Sequence, residues 1–151
     1  MAAQGFTVGT FYGATMVLTT AGTILSTSQP EMVKWTGVSR EAVETTHLAS
    51  SGKTFIAGDM VDYGEIEVTD KYSTQLQHVT LMTGTACDTL TLTFPKRSTT
   101  CGGTLATTAA TIAFSVIYLG FAPDLANDKP MTSVKKFRVT GAPTFVAADI
   151  V

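Results

Sequence analysis

The sequence predicts a mainly β protein with one short helix, built to associate with further copies. Three observations carry this. Thr fills roughly one position in five, and its branched β-carbon suits the pleated, half-buried surface of a strand. Alternation with period two recurs along the chain, most clearly where Leu90, Leu92 and Phe94 alternate with Thr89, Thr91 and Thr93. Charged residues make up only 15% of the 151 positions while hydrophobic ones make up 44%, against roughly 25% charged in an average domain. A surface so poor in charge is expected to meet other protein.

The elements follow in order. Residues 1–13, with Gly5, Gly9 and Gly13, read as an extended N-terminal arm. ATMVLTT and TILSTS form a strand pair around Gly22, which Gln29-Pro30 ends. Met32–Val38 is a short strand and Glu41–Leu48 a weaker one. From about 45 to 64 the chain reads as a long loop, with Gly52, Gly58, Gly64, two Ser and two Asp, interrupted only by the strand-like Thr54–Ala57. This loop and the arm lack a continuous apolar face, so both are expected to order only on assembly.

In Gly64–Thr69, Glu65 and Glu67 share one face while Ile66 and Val68 share the other, which fixes the apolar pair to the core. Ser73–Thr83 is the one helix expected, with Leu76 and Val79 as its stripe and Gly84 as its stop. Asp88–Phe94 is a strand, and Thr104–Phe121 a long one. Ile112, Phe114, Val116 and Tyr118 give it one apolar face; Ile117, Leu119 and Phe121 give it a second, as in a strand covered on both sides. Ala122–Pro130 reads as a polar turn, Met131–Thr140 as the last strong strand, and Gly141-Ala142-Pro143 opens a short tail. The whole, 1–151, fits one domain.

Charge and motifs exclude several classes. Ten Lys+Arg against 12 Asp+Glu give a formal net charge of -2, too balanced for a general nucleic-acid binder, which needs clustered cations. The uncharged stretch before Glu31 lacks the basic start of a signal peptide. The uncharged stretch Thr104–Ala122 is long enough to raise a membrane span, but its Thr and β-branched content marks a strand. Cys87 and Cys101 read as unpaired thiols of a reducing compartment. His47 lies near Asp59 and Asp62 without the spacing of a metal site, and His78 with Cys87 lacks a nucleophile motif. No phosphate-binding glycine motif occurs. The expectation is a non-enzyme without metal or cofactor.

One charge pattern stands out. Glu41, Glu44, Asp59, Asp62, Glu65, Glu67 and Asp70 face a single cation, Lys53, in that stretch. It reads either as a solvated acidic face or as a surface that repels polyanion. Lys135, Lys136 and Arg138 cluster in the last strand, where they are expected to meet such a surface on a neighbouring subunit.

The order GKTFIAGDMVDYGEIEV (Gly52–Val68), DTLTLTFP (Asp88–Pro95), a long apolar strand, DKPMTSV (Asp128–Val134) and VTGAPTF (Val139–Phe145) resembles the major tail protein, or tail tube protein, of long non-contractile-tailed bacteriophages. The resemblance runs from about Val38 to Phe145. It departs from the family's Gly-Leu-Val-Asp-x-Gly at Gly58-Asp59-Met60-Val61-Asp62-Tyr63-Gly64, which carries one more residue. It implies a β-sandwich or barrel with one flanking α-helix, whose strands join into an inter-subunit barrel in a hexameric ring. The immunoglobulin-like domain of some relatives is expected to be absent.

The function implied is a structural subunit of a phage tail tube, self-assembling into stacked rings that conduct DNA. Partners implied are the chain itself, the tape measure protein and tail-end proteins, with DNA only in transit and no membrane. The location implied is the virion tail after assembly in the host cytoplasm. Glu65 and Glu67 are expected to face the lumen, and His47, Lys53, Asp59 and Asp62 to lie in a ring-stacking loop. Two alternatives stand beside this reading. One is another particle component, a capsid decoration protein or a secretion-system tube ring. The other is a small β-sandwich binding module, for which Trp35 and scattered Tyr supply few aromatics.

Overall fold

A computed structural model describes residues 13–20, 23–49, 51–71, 87–96 and 108–147. They form ten strands: β1 (Thr15–Thr20), β2 (Thr23–Ser28), β3 (Met32–Trp35), β4 (Ser39–Glu44), β5 (Phe55–Asp62), β6 (Glu65–Lys71), β7 (Asp88–Thr93), β8 (Thr111–Asp124), β9 (Thr132–Val139) and β10 (Thr144–Val146). Among the described residues there is no helix, and the helix expected at Ser73–Thr83 lies outside them. So does most of the expected arm, residues 1–13.

All pairings are antiparallel. One sheet runs β2-β1-β7-β8-β9-β6-β3, with β10 also on β8, while among the described residues β4 and β5 pair only with each other. The main sheet has one buried face, as its alternation demands. Met16, Leu18, Ile66, Val68, Leu90, Leu92, Phe114, Val116, Phe137 and Val139 all point into one core. Each contributes about 1.5–3 kcal/mol by leaving water. The sheet curls over this core. Trp35 on β3 meets Phe114 on β8 edge to face at 5.2 Å, although β6 and β9 separate those strands in the sheet.

A β-bulge shapes β8. Its pairing with β9 shifts between Tyr118 and Gly120. One extra residue reverses the alternation beyond it. Phe121 therefore lies opposite buried Lys135 and packs against the core, not on the face of Ile117 and Leu119 where simple alternation placed it. Those two stay 44% and 46% exposed, so the second apolar face expected to be covered is open in the single chain. The strand starts at Thr111 and runs on through Asp124, into what reads as a turn.

The long loop expected at about 45–64 is largely paired. β5 spans Phe55–Asp62 and forms a hairpin with β4, leaving 45–54 as its connection. Thr45 closes the tip by donating its N–H to the Thr54 carbonyl at 2.8 Å. The polar and Gly-rich composition hid this because neither face of the hairpin is buried, so no apolar alternation was selected.

Candidate assembly surface

Two further surface features join the exposed outer face of β8. The first is the hairpin. Every residue of β4 and all but one of β5 are exposed, including Val43, Phe55, Ile56, Met60 and Val61. A two-stranded hairpin is marginal in water without a third partner. This one stands on the body through two close-set connections. Gly37 and Gly64 both take positive φ, 85° and 75°. A Cβ on Gly64 would come within 2.2 Å of Thr36 Oγ1 and 2.5 Å of the Gly37 carbonyl oxygen. Thr36 Oγ1 instead accepts the Glu65 N–H at 2.8 Å, and Trp35 Nε1 donates to the Tyr63 carbonyl at 2.8 Å. A cleft of about 560 Å³, lined in part by Arg40, Met60 and Arg138, separates the hairpin's base from β9.

The second feature is the outer face of β3, β6 and β9. Glu65 and Glu67 point outward there while Ile66 and Val68, 1% and 0% exposed, fill the core. Each carboxylate has a cation in its own chain. Glu67 lies in register between Lys34 on β3 and Lys136 on β9, with Lys136 Nζ at 3.8 Å. Arg138 reaches Glu65 Oε1 at 3.2 Å and Asp62 Oδ1 at 2.9 Å. Asp62 also accepts the Gly64 N–H at 2.8 Å. That backbone donor, and after it Arg138, holds the Asp62 carboxyl below its usual value.

The expected site residues separate accordingly. Lys135 is not part of an outward basic cluster. It is 5% exposed, and its Nζ lies 2.5 Å from Asp70 Oδ2 on the core side. Ser133 Oγ donates to the other Asp70 oxygen at 2.8 Å. Asp70, 1% exposed, therefore leaves the solvated acidic run as well. Neighbours in a strand face opposite ways, so three basic residues at 135, 136 and 138 cannot share a face. Lys136 and Arg138 do share one, but pair inside the chain. Asp59 and Asp62 lie on β5, and His47 and Lys53 in the hairpin's connection, where Lys53 Nζ is 4.0 Å from Glu44. Sequence reasoning passed over Lys34, whose only signal was its place in a short alternating strand. It also passed over the facing pair Gly37 and Gly64. Among the described residues no group of acids, His and Cys is set to hold a metal.

No family profile matches this chain, and no curated protein sequence does. Solved structures do. One similar chain belongs to the tail of an empty gene transfer agent particle, refined helically with C6 symmetry. The identity is 9%, the TM-score 0.60, and the match covers 87% of this chain and 96% of that one. Another belongs to the sheath/tube terminator of an extracellular contractile injection system, PVC, in its extended state. There the identity is 8%, the TM-score 0.65, and the coverage 96% and 100%. A third belongs to the six-fold symmetrised baseplate of the anti-feeding prophage, with 10% identity, a TM-score of 0.60 and 97% of both chains covered.

The fold is thus mainly β and tail-tube-like, shared with chains of phage-tail-like particles. These neighbours come from a gene transfer agent and contractile systems, so the likeness does not single out the long non-contractile class.

Proposed function

We propose that this chain is a structural subunit of a phage-type tail tube, six copies closing a ring and rings stacking into a channel for DNA. The observation that carries this reading is the near end-to-end likeness to a chain of a C6-symmetric tail. The unfinished surfaces support it physically. Ile117 and Leu119 on the outer face of β8, and both faces of the β4–β5 hairpin, expose apolar side chains that a second copy would cover.

In this reading the hairpin is the stacking element, with His47, Lys53, Asp59 and Asp62 on it, and Glu65 and Glu67 face the lumen. Its partners are further copies, a tape measure protein inside and tail-end proteins at the termini. It works in the virion tail after assembly in the host cytoplasm, as a building block and not as an enzyme.

A second reading has its own observation: the likeness to a chain of a sheath/tube terminator over its full length. A terminator would close a tube with one ring. Negative-stain microscopy of the concentrated protein separates the two. Long hollow tubes are expected, lone rings would favour the terminator, and monomers at every concentration would overturn both.

A further inference from the structure

We propose that the β4–β5 hairpin of one copy seats on the outer face of β8 in a second copy, a head-to-tail contact that repeats. This rests on the tube reading and deepens it by naming the surface that the stacking element meets.

The hairpin has one apolar face. Val43 lies opposite Ile56 in the register. Val61 to Ala57 takes four steps along β5, against two from Arg40 to Ala42 in β4. The irregularity there adds an even number of residues, so alternation survives it. Met60 therefore shares the face of Val43 and Ile56, and all three are exposed, Met60 to 86%. The opposite face mixes Phe55 and Val61 with Arg40, Glu44 and Asp59. Glu41 borders the same cleft as Met60, and among the described residues no ion pair engages it.

The outer face of β8 is the counterpart. Beside its bulge lies a hollow of about 230 Å³, lined in part by Leu119, Gly120, Ala122 and Val134, with Lys136 also on it. A Cβ on Gly120 would meet nothing within 4 Å, so the space above the bulge is open. Ile117 and Leu119 are exposed on this face, and the Lys136 side chain is 60% exposed.

Charge selects the occupant. Two hairpins face to face would set acidic Glu41 edges against each other, and two β8 faces would do the same with Lys136; like charges so placed are penalised. A hairpin on β8 sets Glu41 against Lys136 and apolar side chains against apolar ones. Met60, unbranched and adaptable, suits an irregular hollow. Because the two patches are different surfaces of one chain, each contact leaves one of each free. Such an interface is heterologous and propagates instead of closing a dimer.

The test mixes two variants that each lack one patch, Ile56→Ser/Met60→Ser and Ile117→Ser/Leu119→Ser, and reads mass by analytical ultracentrifugation. Each alone should remain one unit, a subunit or a single ring. The equimolar mixture should give particles of twice that mass, since an intact hairpin then meets an intact β8 face. A mixture no heavier than its components overturns the proposal. So does either variant doubling alone, which would mark a hairpin–hairpin or β8–β8 contact. Should a variant melt early, charge reversal carries the comparison. Glu41→Lys and Lys136→Glu should each weaken association at least about tenfold, and both in one chain should restore it; additive losses would overturn the contact. Tubes of the natural protein without pairing of the variants would refute this contact alone, and paired variants without tubes would refute the tube alone.

Discussion

Lys135 and Lys136 are chain neighbours in β9 with opposite fates. Lys135 Nζ lies 2.5 Å from Asp70 in the core, whereas Lys136 Nζ sits on the outer face, 3.8 Å from Glu67. The inner pair is sealed: its side chains are 6% and 1% exposed. Breaking a buried pair from one side strands the other charge, at about 3–5 kcal/mol. Lys135→Met and Asp70→Leu should each cost that much in urea unfolding. The double variant should recover most of the loss, because two apolar side chains carry no desolvation penalty. Additive losses in the double-mutant cycle would show that the charges are not coupled.

At the hairpin's base, Gly64→Ala should be among the most damaging single-methyl additions at the described glycines. Its φ of 75° disfavours any Cβ, by roughly 1–2 kcal/mol, and the methyl would also collide with Thr36 and the Gly37 carbonyl. Chemical denaturation should place the total loss above about 2 kcal/mol. Gly141→Ala, where a Cβ meets open space, is the matched control and should shift stability by less than about 0.5 kcal/mol.

The Asp62 carboxyl supplies a pH signature. Its pKa lies below 3.8 through the Gly64 N–H first and Arg138 among the lesser causes. A lowered carboxyl pKa stabilises the fold above the ordinary value, and the gain is lost as pH falls through the lowered one. The ties at the hairpin's base should therefore hold through neutral and mildly acidic pH and loosen only below about 3.8. A carboxyl NMR titration of Arg138→Ala should find the Asp62 midpoint raised but still below that value, since Gly64 remains. No movement would remove Arg138 from the joint.

Tyr118 gives the alkaline counterpart. Burial first, then the nearby Asp70 charge, raise its hydroxyl well above the ordinary 10.0. A raised pKa of this kind stabilises the fold below the unfolded value, and the gain is lost as pH rises through the folded one. In a tyrosinate absorbance titration, the Tyr118 phenol should ionise only as the protein unfolds, so Tyr118→Phe should lower the amplitude of that late step.

The hairpin should matter for assembly and little for the subunit. Phe55 and Ile56 are 56% and 58% exposed and, as strand neighbours, lie on opposite faces. Phe55→Ser/Ile56→Ser should move the melting midpoint only slightly, since surface substitutions stay near 0.5 kcal/mol. Tubes should nevertheless be lost. A variant that still forms tubes would remove the hairpin from stacking.

Where one face of a strand is buried, the sequence was enough. Leu90 and Leu92, Ile66 and Val68, and Phe137 and Val139 show their alternation directly, because a one-residue slip would empty the core. The separation of Glu65 and Glu67 from Ile66 and Val68 follows from the same period. β4 and β5 are exposed on both faces, so their strand signals were weak, the faint Glu41–Leu48 and the strand-like Thr54–Ala57, and the Gly, Ser and Asp around them read as loop.

Tertiary structure alone decided which charges meet. Asp70 and Lys135 lie 65 positions apart, and Asp62 and Arg138 lie 76 apart. Only the β6–β9 register brings β6's carboxylates beside β9's cations, and it sends Lys135 inward and Lys136 outward. The bulge at Leu119 likewise turns Phe121 to the core by inserting a single residue, its one local mark being Gly120 beside it. Local alternation settles the face on which a residue lies; the partner across the strand is set by backbone pairing between distant segments, and with it the charge of the whole face.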